Sequence, residues 1–145
     1  MLKVSTNYLT FRIGHEWYGV NVDSIIEVIH MVGLTELPGT PPDILGLLTL
    51  RDRVMPAVDM RLRLNCDQAS LHLDTPVIAI TTAYGSLAMI VDDVDDVETI
   101  SEIADYENQE SPYVNGVARL KERLLLLLDT AYLRSQIKVK DETHV

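Results

Sequence analysis

Alternation of apolar and polar residues dominates the chain. From Asn7 to Ile13, NYLTFRI puts Leu9, Phe11 and Ile13 on one face, and Gly14-His15-Glu16 supplies a turn before WYGVNV, which predicts a hairpin. Asp23 can then cap a short helix, Ser24 to Ile29, with Ile25, Val28 and Ile29 as its apolar stripe and Glu27 pointing elsewhere. A third extended run, Met31 to Leu37, ends at Pro38-Gly39, and Pro41-Pro42-Asp43 opens a tight turn. The stretch GLLTLRDRVMPAVDMRLR, Gly46 to Arg63, reads as two strands around the charged turn Arg51-Asp52-Arg53, followed by an Asp59-capped start of helix. Pro56 gives its strand no ladder donor, which predicts an edge or a bulge. After the polar loop Asn65 to Asp74, PVIAITT and LAMIV flank the turn Ala83 to Ser86 as another hairpin.

The plan then repeats. GVARLKERLLLLLDTAYL, Gly116 to Leu133, aligns without gaps on Gly46 to Arg63, so that Arg51-Asp52-Arg53 falls on Lys121-Glu122-Arg123 and Asp59 on Asp129. Upstream, Leu9, Phe11, Asp23, Ile25 and Val28 fall on Ile78, Ile80, Asp92, Val94 and Val97. Each half therefore carries a hairpin, an Asp-led turn or short helix, a connecting run and a second hairpin, about five strands. The expected fold is all-β with short helices: two small five-stranded antiparallel β-barrels related by internal duplication. They would form one domain, 1–145, with subdomains near 8–65 and 75–133, exchange of strands between them left open, and a terminal helix near 130–140. Leu133 and Ile137 should face inward on that helix, while DETHV should fray.

Composition narrows the function. With 47% hydrophobic residues and a mean hydropathy of +0.10, a disordered chain is excluded. No apolar run reaches the length of a membrane helix and MLKVSTNYLT has no signal-peptide core, which predicts a cytoplasmic protein without membrane insertion. The net charge is −10, and eleven of the 22 acids lie between Arg63 and Arg119, where there is no Lys or Arg. Nucleic acid and anionic membrane are poor partners for that field, and a protein with basic patches suits it better. Cys66 is the lone cysteine, so no intrachain disulfide or cysteine metal cluster can form.

Enzyme signatures are missing. There is no G-x-S-x-G, H-E-x-x-H, phosphate-binding glycine loop or C-x-x-C, and His15, His30, His72 and His144 are widely spaced. No enzymatic activity and no cofactor are expected. VDDVDDVETI lacks the glycine and distal Glu of a calcium loop, and Val91, Val94 and Val97 recur every three residues, which predicts a buried side with its aspartates solvated. The turn at Arg51 reads either as a polar hairpin tip or as a contact site whose planar fork of donors suits a carboxylate, with Glu27 the natural opposite charge.

Four collinear segments carry a resemblance. YLTFRIGHEWYGVNVDSIIEVI, LLTLRDRVMPAVDMR, AMIVDDVDDV and YVNGVARLKERLLLLLDTAYL resemble, in order and spacing, the CheW-like coupling proteins of bacterial chemotaxis. The resemblance implies two five-stranded barrels and a non-enzymatic adaptor linking the cytoplasmic tips of chemoreceptors to the regulatory domain of the histidine kinase CheA. It also implies recruitment to membrane-associated receptor arrays. By the same resemblance Arg51, Ile25 and Glu27 border a receptor-binding groove whose other side is lined by Ala88 and Val94; it assigns no kinase-contact residues. A second reading is a β-barrel module that binds a small ligand or divalent cation through the acidic segment 92–110. Thr49, Asp52 and Asp93 replace the family's Asn, Gly and Gly, and a positive φ at either glycine would tax an aspartate. Asp52 also sets an acid beside Arg51, which suggests that Arg51 is engaged by its neighbour in a specialised coupling protein.

Overall fold

The computed structural model describes residues 5–66 and 70–138. In chain order it contains β1 (Thr6–Ile13), β2 (Glu16–Asn21), a 3-10 turn (Val22–Ser24), β3 (Ile25–His30), β4 (Ile44–Leu50), β5 (Arg53–Asp59) and α1 (Met60–Arg63). The second half follows with β6 (Pro76–Thr82), β7 (Gly85–Ile90), β8 (Asp93–Ile100), β9 (Ala104–Asp105), β10 (Val114–Leu120), β11 (Arg123–Leu128) and α2 (Thr130–Ser135). The expected helix at Ser24–Ile29 is thus a strand. Asn21 caps only the single 3-10 turn, and the β-branched run IIEVI continues as an edge strand whose partial burial on both faces imitates a helical stripe. Met31–Leu37 contributes one isolated bridge, Thr35 to Leu47, and no strand.

The strands form two sheets that exchange hairpins. One has the order β8-β1-β2-β11-β10-β9 and the other β3-β6-β7-β5-β4, so the first hairpin of each half sits among strands of the other. The halves are joined by four strand pairs, of which β1 with β8 and β3 with β6 are antiparallel and β2 with β11 and β5 with β7 are parallel. The repeat is visible in the registers. Leu9 pairs with Val97 and Phe11 with Val94 across a bulge, while Ile78 pairs with Val28 and Ile80 with Ile25 across the equivalent one.

Pro56 lies in an interior strand, between β4 and β7, and not at an edge. It faces Leu47, whose N–H and C=O are both committed to Thr35 on the other side, and the β5–β7 ladder begins only at Ala57. No partner therefore needs the missing N–H. Gly46 has a φ of 149°, and a Cβ there would stand 2.5 Å from the Thr35 oxygen. Only glycine lets that connector lie against β4.

Three apolar clusters result. Leu9, Phe11, Tyr18 and Val20 of one sheet pack on Ile78, Ile80, Leu87 and Met89 of the other, and Leu133 and Ile137 join them. Alternate residues of β6 and β7, Val77, Ala79, Ala88 and Ile90, enter a separate core with Leu48, Met55 and Ala57 inside the curl of their own sheet. Ile100, Ala118, Leu125 and Leu127 do the same in the first sheet. Both C-terminal helix residues expected to face inward are buried, although α2 stops at Ser135; DETHV lies outside the described residues.

Arg61 is buried to 1% exposure and holds the two halves together. Its guanidinium donates from Nε and Nη2 to Asp59, which also caps α1, and from Nη1 to Asp92 at 3.3 Å. Asp92 in turn accepts the Gly14 N–H at 2.7 Å. Burial alone would lower the Arg61 pKa, but the hydrogen bonds and charges of Asp59 and Asp92 outweigh it and raise the pKa above the ordinary arginine value. Arg61→Ala removes the buried guanidinium from between Asp59 and Asp92, and we expect a loss of about 3–5 kcal/mol of stability in urea unfolding.

Tyr18 makes a second prediction. Burial first, then the nearby Cys66 and Glu16, push its phenol up to about 12. The unfolded phenol titrates near 10, so above that pH the folded chain keeps a proton that the unfolded chain releases. Its contribution, on the order of 2–3 kcal/mol, is complete below about pH 10 and lost as pH rises through about 12. Urea unfolding of Tyr18→Phe should show a shallower alkaline decline than the parent.

Candidate protein-docking site

The charged turn joins β4 to β5 with two residues, and both take a positive φ, 49° at Arg51 and 68° at Asp52. This is the hairpin turn whose twist suits its strands, a geometry that favours Gly or Asn. Asp52 therefore occupies a strained position where the expected cost applies, whereas Asp93 opens β8 without a positive φ. Asp52→Gly should stabilise the chain by roughly 0.5–1 kcal/mol in urea unfolding.

From this turn Arg51 reaches β3. Its Nη2 lies 2.7 Å from Glu27 Oε1, although β3 and β4 are the opposite ends of the sheet order. The sheet curls far enough for an ion pair to span its two edges. Arg51 is engaged by Glu27, and no ion pair joins it to Asp52 among the described residues. The Arg51 side chain is 73% exposed, which leaves the planar guanidinium open to a partner.

The remaining candidates are not all at the surface. Ile25 and Val94 are both half-buried against the core between the sheets, at the start of β3 and of β8. Ala88 is fully buried, packed between Ala57 and Ala79 on neighbouring strands, and cannot touch an outside molecule. Val94 lines a cleft of about 610 Å³ between the edge strands β3 and β8, together with Val28, Ile29, His30, Asp92 and Asp93. Val28, expected on an inward stripe, is 42% exposed there. The three-residue stripe Val91, Val94, Val97 fails in the same way, because β8 is a strand, and Val97 is 55% exposed at the position equivalent to Val28. The signal that could have found Val28 was the repeat itself, which aligns it with a valine amid aspartates.

The first sheet carries a related device. Arg123, just beyond the β10–β11 turn, pairs with Asp95 on edge strand β8 at 3.1 Å, and its guanidinium lies 3.8 Å over the Trp17 ring. Among the described residues no group of three His, Cys, Asp or Glu side chains could hold a metal ion, and no helix is long and apolar enough to cross a membrane.

Comparison with known proteins gives a consistent result. The family model described as CheW-like domain matches residues 7–138. The chain is 28% identical over 138 residues to the chemotaxis protein CheW of Klebsiella aerogenes, covering 91% of this chain and 83% of that protein. It is 26% identical over 137 residues to the probable chemotaxis protein CheW of Rhizobium etli, covering 88% and 86%. The crystal structure of the scaffolding protein TtCheW from Thermoanaerobacter tengcongensis superposes with a TM-score of 0.79 at 24% identity, over 86% of this chain and 89% of that one, which shows the shared fold.

Proposed function

The chain belongs to the CheW-like domain family and is a coupling adaptor of chemotaxis signalling, and from that premise we propose how it couples. It holds the cytoplasmic tip of a chemoreceptor and the regulatory domain of a CheA-type histidine kinase at fixed geometry, and is recruited to membrane-associated receptor arrays in the cytoplasm. Receptor state reaches the kinase through that geometry, with no chemistry performed on the adaptor. The observation that carries this reading is the exposed Arg51, clamped by Glu27 on the same edge strand that supplies Val28 to the cleft facing Val94. A receptor helix would set apolar side chains against Val28 and Val94, while Arg51 offers donors to its carbonyls or carboxylates. Asp92 and Asp93 on the cleft's other wall favour a partner with basic residues there.

The partner contacts are modest in area, so each is expected in the micromolar range, about −8 kcal/mol, with arrays supplying avidity. Calorimetric titration with a receptor-tip fragment tests the site. Arg51→Ala should weaken binding by about tenfold or more, as loss of a charge-assisted contact does. The same substitution should change folding stability by less than about 1 kcal/mol, because an exposed ion pair contributes little. Unchanged affinity in Arg51→Ala would remove Arg51 from the site, and failure to bind or stimulate any CheA-type kinase in the presence of receptor would defeat the reading as a whole.

A further inference from the structure

A second concavity lies apart from the Arg51 turn and the β3–β8 cleft. It has a volume of about 410 Å³ and sits between the end of α1, the connector from Tyr106 to Tyr113, and the face of β10 and β11 that carries Val117, Leu124 and Leu126. That size falls within the range of small-molecule sites, and the lining is mostly apolar or aromatic. Three tyrosines line it, and their hydroxyls differ. Tyr106 accepts from Asn108 Nδ2 at 2.9 Å, and Tyr113 accepts from Arg63 Nη1 at 3.3 Å. Tyr18, only 6% exposed and stacked on Phe11, makes no hydrogen bond among the described residues. Tyr18 lines the cavity, and its hydroxyl, bonded to no described side chain, is a donor and acceptor open to a ligand there.

We propose that this cavity is a binding site for a small, uncharged aromatic molecule carrying one hydroxyl or carbonyl group. The charge balance of the wall excludes ions. Arg63 is already neutralised by its ion pair with Asp43, and exposed Glu110 at the rim repels anions. Burial keeps the Tyr18 phenol protonated through the neutral range, so it can both donate to and accept from such a group. The rings of Tyr106 and Tyr113 offer faces and edges for a flat ligand, and Leu124, 54% exposed, marks the apolar mouth. A bound molecule would touch α1 of the first half and the connector of the second, joining segments far apart in sequence.

Amide-resolved NMR titration of the full chain with phenol, and in parallel with toluene, tests this. Phenol should give saturable shifts clustered at residues 63–65, 111, 113, 114, 117 and 126. Tyr18→Phe, which keeps the ring, should weaken phenol by about tenfold, the upper range for one hydrogen bond, and leave toluene unchanged. Val117→Trp, filling the cavity, should abolish both. Shifts that never saturate, that cluster elsewhere, or that are equal for phenol in the parent and Tyr18→Phe would overturn the proposal. Receptor-tip affinity, measured on the same variants, reads the docking site separately.

Discussion

One guanidinium holds the architecture in register. Arg61 belongs to the first half, yet its Nη1 binds Asp92 at the corner between β7 and β8 of the second, and Asp92 binds the turn of the first hairpin through Gly14. Three segments that share no covalent neighbourhood meet at one buried cation. Burying such a group is expensive unless every oxygen around it is placed, which is why Asp59 serves at once as helix cap and counter-ion. Asp92 and its neighbours Asp93 and Val94 also form one wall of the cleft between β3 and β8. The buried ion-pair centre and the cleft therefore share a residue, and the position of β8 relative to β3 depends on the Arg61–Asp92 contact beneath it.

Much of this was legible in the sequence. The duplication, the hairpins, the capping Asp59 and Asp129 and the aliphatic core follow from alternation and turn chemistry and recur in the structure, whereas Asp23 does not cap a helix and Asn21 caps the 3-10 turn instead. The errors have a common origin. Edge strand β3 is half-buried on both sides, Ile25 against the core between the sheets and Ile26 and Ile29 against the core inside its own curl, so IIEVIH lacks the alternation of a strand and reads as a helical stripe. Pro56 reads as an edge or bulge residue. Its strand is interior, and a local pattern cannot reveal that Leu47 turns to Thr35, while the β4–β5 ladder does bulge beside it, between Ile44 and Gly46. Ala88 was placed on a groove wall by resemblance, and only the curl of its sheet shows that it lies inside a separate core. Arg61 drew no notice because an arginine in MRLR looks solvated until its two carboxylates are seen around it.

The two halves pin their second hairpins by analogous ion pairs built from non-equivalent positions, since the repeat sets Arg51 on Lys121 and Arg53 on Arg123. Each curled sheet pins its second hairpin to its own edge strand by an arginine and an acid, Arg51 with Glu27 and Arg123 with Asp95. Arg123 spends its guanidinium face on Trp17 as well, whereas Arg51 protrudes from a turn held at positive φ. Arg123 is held by both an acid and a ring, whereas Arg51 is held by Glu27 alone among the described residues and keeps most of its side chain exposed.

The exchange of hairpins also governs the order in which the molecule can be assembled. β2 waits for β11, with Trp17 beside Leu125, and β1 waits for β8. Neither sheet can be completed from one half, so a chain emerging from the ribosome must carry β1 and β2 with an unmet edge until nearly all of its sequence has appeared. Loop-closure entropy makes such pairing slow, and the interval exposes strands to other chains. Edge strand β8 carries Asp93, Asp95 and Asp96, and like charges along an open edge disfavour its pairing with the same edge of another chain.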